Sequence, residues 1–449
     1  MPVILLLSWL IASSAGQQAA QGGGSPAKIT DERIRFFQAQ LARDPDYYVN
    51  YNRLAAAYTQ KARETGDLSY YGLAEKALKR SLELESEHPE AATAYVGLGA
   101  VQFAEHRFSE AAASGQRALE LRGEDPEAQA LLGDAELEMG NYNDAAAAFG
   151  KLANAVDRRP HRGREYLSAT RQASLAWIHG DVEHALSRMK RACDLAHEVH
   201  LPAENIAWTH FMLGEQMFQS GNLAGAEREI QAALRAYPSY HRGLAAMGQV
   251  RAAQQRYDEA LEFYKQAIAV IPLPLYASAL GDIYHRQKKA AEAEKQYALV
   301  EYIGKLGSLN QQVYNRELAL FYADHDRHLS ESLALAQKEL EARHDVYTWD
   351  ALAWSLLKNG RASEAHEAMQ KALAIGTHDS LLFFHAASIE RQLGNPDAAE
   401  YARKAIALNP QFHVLYAEEA RRWAMPVQRG ASRGYQSKRK ALYIRITVQ

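Results

Sequence analysis

Eight times along the chain a glycine or alanine is followed, twelve positions later, by an alanine. The pairs are Gly99/Ala111, Gly133/Ala145, Ala173/Ala185, Gly214/Ala226, Gly248/Ala260, Gly281/Ala293, Ala353/Ala365 and Ala387/Ala399. Seven residues beyond each pair stands another small or aliphatic residue, among them Ala118, Leu152, Val300 and Ile406. Side chains without bulk let two antiparallel helices approach closely. A turn step between the members, such as Gly140-Asn141, Gly180-Asp181, Gly221-Asn222 or Gly360-Arg361, ends the first helix. The spacing predicts an all-α chain of repeated helix pairs, each burying its apolar face against its neighbours only. Apolar residues make up 47% of the 449, enough for a core that runs the length of such an array.

The run Leu213-Gly214, Met217, Gly221, Ala226, Ile230, Ala233, Pro238 resembles the tetratricopeptide repeat consensus of about 34 residues. Met247-Gly248 through Ala260, Tyr264, Ala267 and Pro272 resembles it equally. The resemblance spans roughly residues 45–425 and implies a right-handed superhelical solenoid of about ten helix pairs. The expected organisation is a candidate signal peptide at 1–15, a linker and N-terminal cap at 16–44, the solenoid at 45–410, a capping helix at 411–425 and a basic, disordered tail at 426–449. Repeats eight to ten, with LALFYADHDRH and DVYTWDALAWSLLKNGR, are similar to exported bacterial tetratricopeptide proteins.

Charge and the chain's start bear on compartment and partner. The net charge of −3 hides a tail, 426–449, with six basic residues and no acid, which leaves 45 basic against 54 acidic residues in the remainder. A mildly acidic array lacks the clustered Lys and Arg that bind phosphate backbones, so no nucleic-acid partner is expected. Val3 to Ala12 is apolar but too short to span a bilayer, so no membrane span is expected. Small residues at Ser13 and Ala15 suit a signal peptidase cutting after Ala15. Export to the periplasm or beyond is the expected localisation, with a cytoplasmic protein as the alternative if the apolar run is not a signal.

In the repeat family the first helix of each unit lines a concave groove. Carried onto this chain, the resemblance places Trp177, Trp208, Phe211, Phe218, Tyr347, Trp354 and Phe384 toward that groove, with Phe103 beside them and Arg242 and Arg316 near it. Asp282, Arg286, Asp350 and Arg391 fall close by. Rigid aromatic surface dominates interface hot spots. The expectation is a non-catalytic scaffold that binds a peptide or partner protein there. The Lys/Asn carboxylate clamp of the co-chaperone branch cannot be assembled here.

Catalytic and cofactor motifs are missing: there is no G-x-S-x-G, no phosphate-cradling glycine loop and no CxxC. No cofactor is expected. Seventeen histidines raise an alternative, a metal-responsive or metal-delivering protein. Cys193, His197 and His200 share one helix face, and His325 and His328 sit with Asp324 and Asp326 at a corner. Neither set has a recognised four-ligand spacing, so no metal site is assigned.

Overall fold

The computed structural model describes residues 26–154, 161–309 and 315–425. The candidate signal peptide, residues 16–25 of the linker and the basic tail fall outside them. Among the described residues there are twenty-two α-helices and no strand. A leading helix α1 (Pro26–Arg43) packs on the first pair, α2 (Tyr48–Thr65) and α3 (Ser69–Leu84). Pairs two to four are α4 (Ala92–Ala104) with α5 (Phe108–Leu121), α6 (Pro126–Met139) with α7 (Tyr142–Asn154), and α8 (Arg162–Ile178) with α9 (Val182–Glu198). Pairs five to seven are α10 (Ala203–Gln219) with α11 (Leu223–Ala236), α12 (His241–Ala253) with α13 (Tyr257–Val270), and α14 (Pro274–Arg286) with α15 (Ala290–Leu309). The last three are α16 (Asn315–Asp324) with α17 (Leu329–Ala342), α18 (Val346–Lys358) with α19 (Ala362–Leu373), and α20 (Ser380–Gln392) with α21 (Ala398–Leu408). A short helix, α22 (Ala417–Ala424), packs on α21.

The small residues of the twelve-residue spacing sit where paired helices touch. A Cβ on Gly133 would stand 2.3 Å from Cε1 of Phe149, so the glycine is what lets that ring lie across α6. The alanines that answer the glycines, from Ala111 to Ala293, are all buried. Aspartates start several helices: Asp379 accepts the backbone N–H groups of Leu381 and Leu382 at 2.8 and 3.0 Å.

The array is wound tightly enough for its second superhelical turn to rest on its first. The inter-helix turn of each of repeats three to five meets the chain six repeats later. His344 N–H donates to Met139 O at 3.0 Å, and Val346 N–H donates to the Tyr142 hydroxyl at 2.9 Å. The Thr377 hydroxyl donates to Ile178 O, and Asn409 Nδ2 donates to Phe218 O at 2.7 Å. Gly180, at φ +74°, carries the point furthest: a Cβ there would lie 2.2 Å from Gly376 O. Glycine at such a step ends a helix and, here, also admits the neighbouring coil. Repeat one closes on repeats five to seven in the same way. Arg63 donates to Glu204 Oε2 at 3.0 Å and to Asn205 Oδ1 at 2.8 Å, and the Tyr237 hydroxyl donates to Glu64 O.

Candidate binding chamber

Where the coil closes on itself, the first helices of the pairs wall an interior chamber of about 1180 Å³ that stays partly open to solvent. Helix α10 supplies one wall through Glu204, Trp208, Phe211, Glu215 and Phe218, which recur at helical spacing along one face. Opposite elements contribute His106 and Arg107 from repeat two, Arg316 and Leu320 from α16, and Phe412 and Arg421 near the C-terminal end. Space exists because α12 and α14 present small side chains: Ala245, Ala246, Ala252, Ala253, Ser278 and Ala279 all line it. Leu275, an exposed large apolar residue, also faces the chamber.

Most wall charges are already engaged. Arg316 donates to Asp345 at 3.2 Å, and Arg286 pairs with Glu418 at 2.6 Å. Asp282 accepts from Tyr297 at 3.0 Å and lies 2.7 Å from His325 Nε2. Asp324 accepts from Trp354 Nε1 at 2.8 Å and from Tyr416 at 2.9 Å. Burial holds the imidazoles of His106 and His241 down at about 3, so both rings are neutral at physiological pH. His241 contacts the Tyr276 hydroxyl at 2.7 Å.

Three wall charges differ from the rest. Among the described residues Glu215, Arg242 and Glu317 form no ion pair or hydrogen bond, although all line the chamber. Glu215 is 6% exposed, and burial pushes its carboxyl up to about 7. The indole N–H of Trp208 and the Tyr240 hydroxyl are buried on the same wall without a hydrogen-bond partner. Buried polar groups are ordinarily satisfied, so donors and carboxylates left open around one cavity mark where a ligand's polar groups would dock.

Six of the nine residues assigned to a groove by sequence line this chamber: Trp208, Phe211, Phe218, Arg242, Arg316 and Tyr347. The structure corrects the placement of the other three. Trp177 is buried in the inter-repeat core, while Trp354 and Phe384 belong to a C-terminal aromatic cluster with Phe412, Tyr416 and Trp423. Phe103 is likewise core, edge-on to Phe108. Asp350 is turned to His385 at 2.9 Å, and Arg391 lies over Trp423 at 5.2 Å. Glu215, missed by sequence reasoning, lies seven residues after Trp208 on the same helical face.

The histidine sets also separate. His325 is held by Asp282, His328 approaches Glu301 at 3.5 Å, and Asp326 pairs with Lys358 at 2.7 Å, so that corner does not converge. His200 adopts φ +55° at the turn after α9 and joins no ligand-like group among the described residues. Cys193 and His197 instead meet His210 and Glu229.

The tetratricopeptide repeat family model matches residues 59–128, 211–273 and 351–411. No curated protein matches the chain. Among solved structures, the human IFIT1 dimer with m7Gppp-AAAA is similar at 14% identity and a TM-score of 0.49, over 78% of this chain and 76% of that one. Yeast Tom70 is similar at 15% identity and a TM-score of 0.31, over 82% and 96%. YrrB, described as a TPR protein with an unusual peptide-binding site, is similar at 20% identity and a TM-score of 0.29, over 48% and 99%. At these identities the likeness is one of fold.

Proposed function

The chain is a tetratricopeptide repeat protein, and we propose that it is a non-catalytic scaffold holding a peptide segment of a partner protein inside its closed coil. Arrays of this family are in general protein-interaction scaffolds. The chamber is the observation that carries the proposal. At about 1180 Å³ it exceeds the roughly 300–1,000 Å³ of ordinary small-molecule pockets. Half-buried Phe211 and exposed Leu275 offer apolar surface to anchors, on a wall in which Trp208 and Phe218 are already covered. The open carboxylate of Glu215 and guanidinium of Arg242 offer one site each for a basic and an acidic group of the same segment. Arg316 is already occupied by Asp345 and serves the wall more than the ligand.

The setting we propose is the bacterial envelope. The apolar run 3–12 and the small residues before Gly16 support export, and no helix among the described residues is long and apolar enough to cross a membrane. Amino-terminal sequencing of the native protein should find a start at or near Gly16; an intact Met1 in the cytosolic fraction refutes export.

Panning a random linear peptide library on the immobilised full chain tests the chamber itself. Enriched peptides should bind the wild type and lose binding to Ser278→Trp, which fills space between α12 and α14 without removing a core contact. A melt of the variant beside the assay establishes that it is folded. Enriched peptides that bind a folded Ser278→Trp equally well overturn the reading.

A further inference from the structure

A second candidate site lies on the junction of repeats four and five, where α9, α10 and α11 meet. Cys193 and His197 are one helical turn apart on α9, so their side chains project on the same side. Helix α10 brings His210 against them: its Nε2 lies 3.1 Å from Nε2 of His197, with the rings tilted at 57°. On the far side of the His210 ring, Nδ1 lies 2.8 Å from Oε2 of Glu229 on α11. A sulfur of Cys193, a ring nitrogen of His210 and a carboxylate oxygen of Glu229 all fall within 4.8 Å of one another.

This arrangement has the parts of a metal centre. A thiolate sulfur, a ring nitrogen and a carboxylate oxygen are each ordinary zinc ligands, and their mutual approach within 4.8 Å puts one metal in reach of all three. A ligating histidine usually gives its other ring N–H to an acceptor, which fixes the tautomer and aims the free nitrogen at the metal. His197 Nε2, 3.1 Å from Nε2 of His210, stands where that acceptor belongs. Thiolate and imidazole together favour zinc and its neighbours over magnesium or calcium. Burial is graded as entry requires: Cys193 is 4% exposed at the base, whereas His210 and Glu229 are half-buried, leaving a side open for a solvent ligand.

We propose that Cys193, His210 and Glu229 bind one zinc-class divalent cation, with His197 positioning His210. The thiol proton passes to solvent as the metal–sulfur bond forms, and a water completes the coordination. The cation would tie α9 to α10, the helix that carries Trp208 and Phe211. The site stands independently of peptide binding in the chamber. Sequence alone grouped Cys193 with His197 and His200; the structure replaces those two as ligands by residues on two further helices.

Equilibrium dialysis of the full chain, purified without a polyhistidine tag, against Zn2+ should give one bound ion per chain. Co2+ should give a thiolate-to-cobalt charge-transfer band. Glu229→Ala, at a half-buried position, and Cys193→Ser should each abolish stoichiometric binding, and Cys193→Ser should remove the band. His197→Ala should weaken Zn2+ binding about 10- to 100-fold, while His200→Ala should bind as the wild type does. The proposal is overturned if the wild type binds no ion stoichiometrically, if a folded Glu229→Ala variant keeps wild-type affinity, or if no charge-transfer band forms.

Discussion

Replacing Arg343 with methionine should loosen the seam between the two superhelical turns. Arg343 is 2% exposed, and its guanidinium ties α6 to the segment before α18. It donates to Glu138 Oε2 at 2.9 Å, pairs with Glu339 at 2.6 Å, approaches Asp345 at 3.7 Å and lies 5.3 Å from the centre of the Phe108 ring. Methionine keeps much of the apolar contact but leaves Glu138 and Glu339 buried without their cation. Removing one partner of a buried pair costs about 3–5 kcal/mol, mostly through the charge left behind. The loss should depend on pH. Burial outweighs the pull of Arg343 and pushes the Glu138 carboxyl up to about 7. Between the ordinary carboxyl range and that value the folded state holds more protons than the unfolded one, so this group's contribution falls as pH rises. Without Arg343 the window extends further upward. The variant's deficit should therefore be smaller near pH 5.5, where the carboxyl is protonated, and larger near pH 8. Thermal melts at the two pH values measure it. Amide exchange at His344 and Val346, whose N–H groups bond Met139 O and the Tyr142 hydroxyl, reports the seam directly. Wild-type melting at pH 8 with full protection at both amides would refute the reasoning.

The other expectations rest on single positions. Gly180→Ala and Gly360→Ala impose the same left-handed backbone on an alanine, about 1–2 kcal/mol each, but only the first drives a Cβ against another backbone, Gly376 O. Gly180→Ala should therefore melt lower than Gly360→Ala by about a further 1–3 kcal/mol of overpacking; equal melts would count against the seam. Gly248→Leu should separate α12 from α13, because a Cβ there already meets the Tyr264 ring at 2.8 Å; an unchanged melting temperature would contradict that pairing. Glu215→Gln should raise the melting temperature above about pH 7, where the buried carboxyl is charged, and change it little near pH 5. A pH-independent effect would mean that Glu215 has a compensating partner.

Why the pairs were legible and the seam was not follows from the range of the contacts. The approach of α6 to α7 needs Gly133 and Ala145 a fixed distance apart within one repeat, so the same geometry writes the same spacing again and again. The seam joins Glu138 to Arg343 and Asn409 to Phe218, residues about two hundred positions apart that occur once each and leave no period. Gly140, Gly180 and Gly221 could be read as helix stops, but nothing local distinguishes them from Gly360, which faces open space. The aromatic positions divide for a similar reason. Phe211 stays half-buried on the chamber wall beside the alanines of the neighbouring α12, whereas Trp208 and Phe218, each 2% exposed, are almost wholly covered. Trp354 and Phe384 occupy comparable places in their repeats, yet they meet Tyr416 and Trp423 and become core. Which outcome applies depends on the neighbour's bulk, and that neighbour lies in another repeat. His210 and Glu229 escaped notice because ligand spacing was sought within one helix.

Site-specific photocrosslinking tests the chamber as the binding site most directly. A benzophenone amino acid is placed at Leu275, which lines the chamber, or at Arg235, exposed on α11. Each protein is irradiated with a library-selected peptide. The account predicts a covalent adduct from position 275 that excess unlabelled peptide suppresses, and none above background from position 235. A peptide that binds yet crosslinks only from position 235 would place the partner on the outer helices and contradict it.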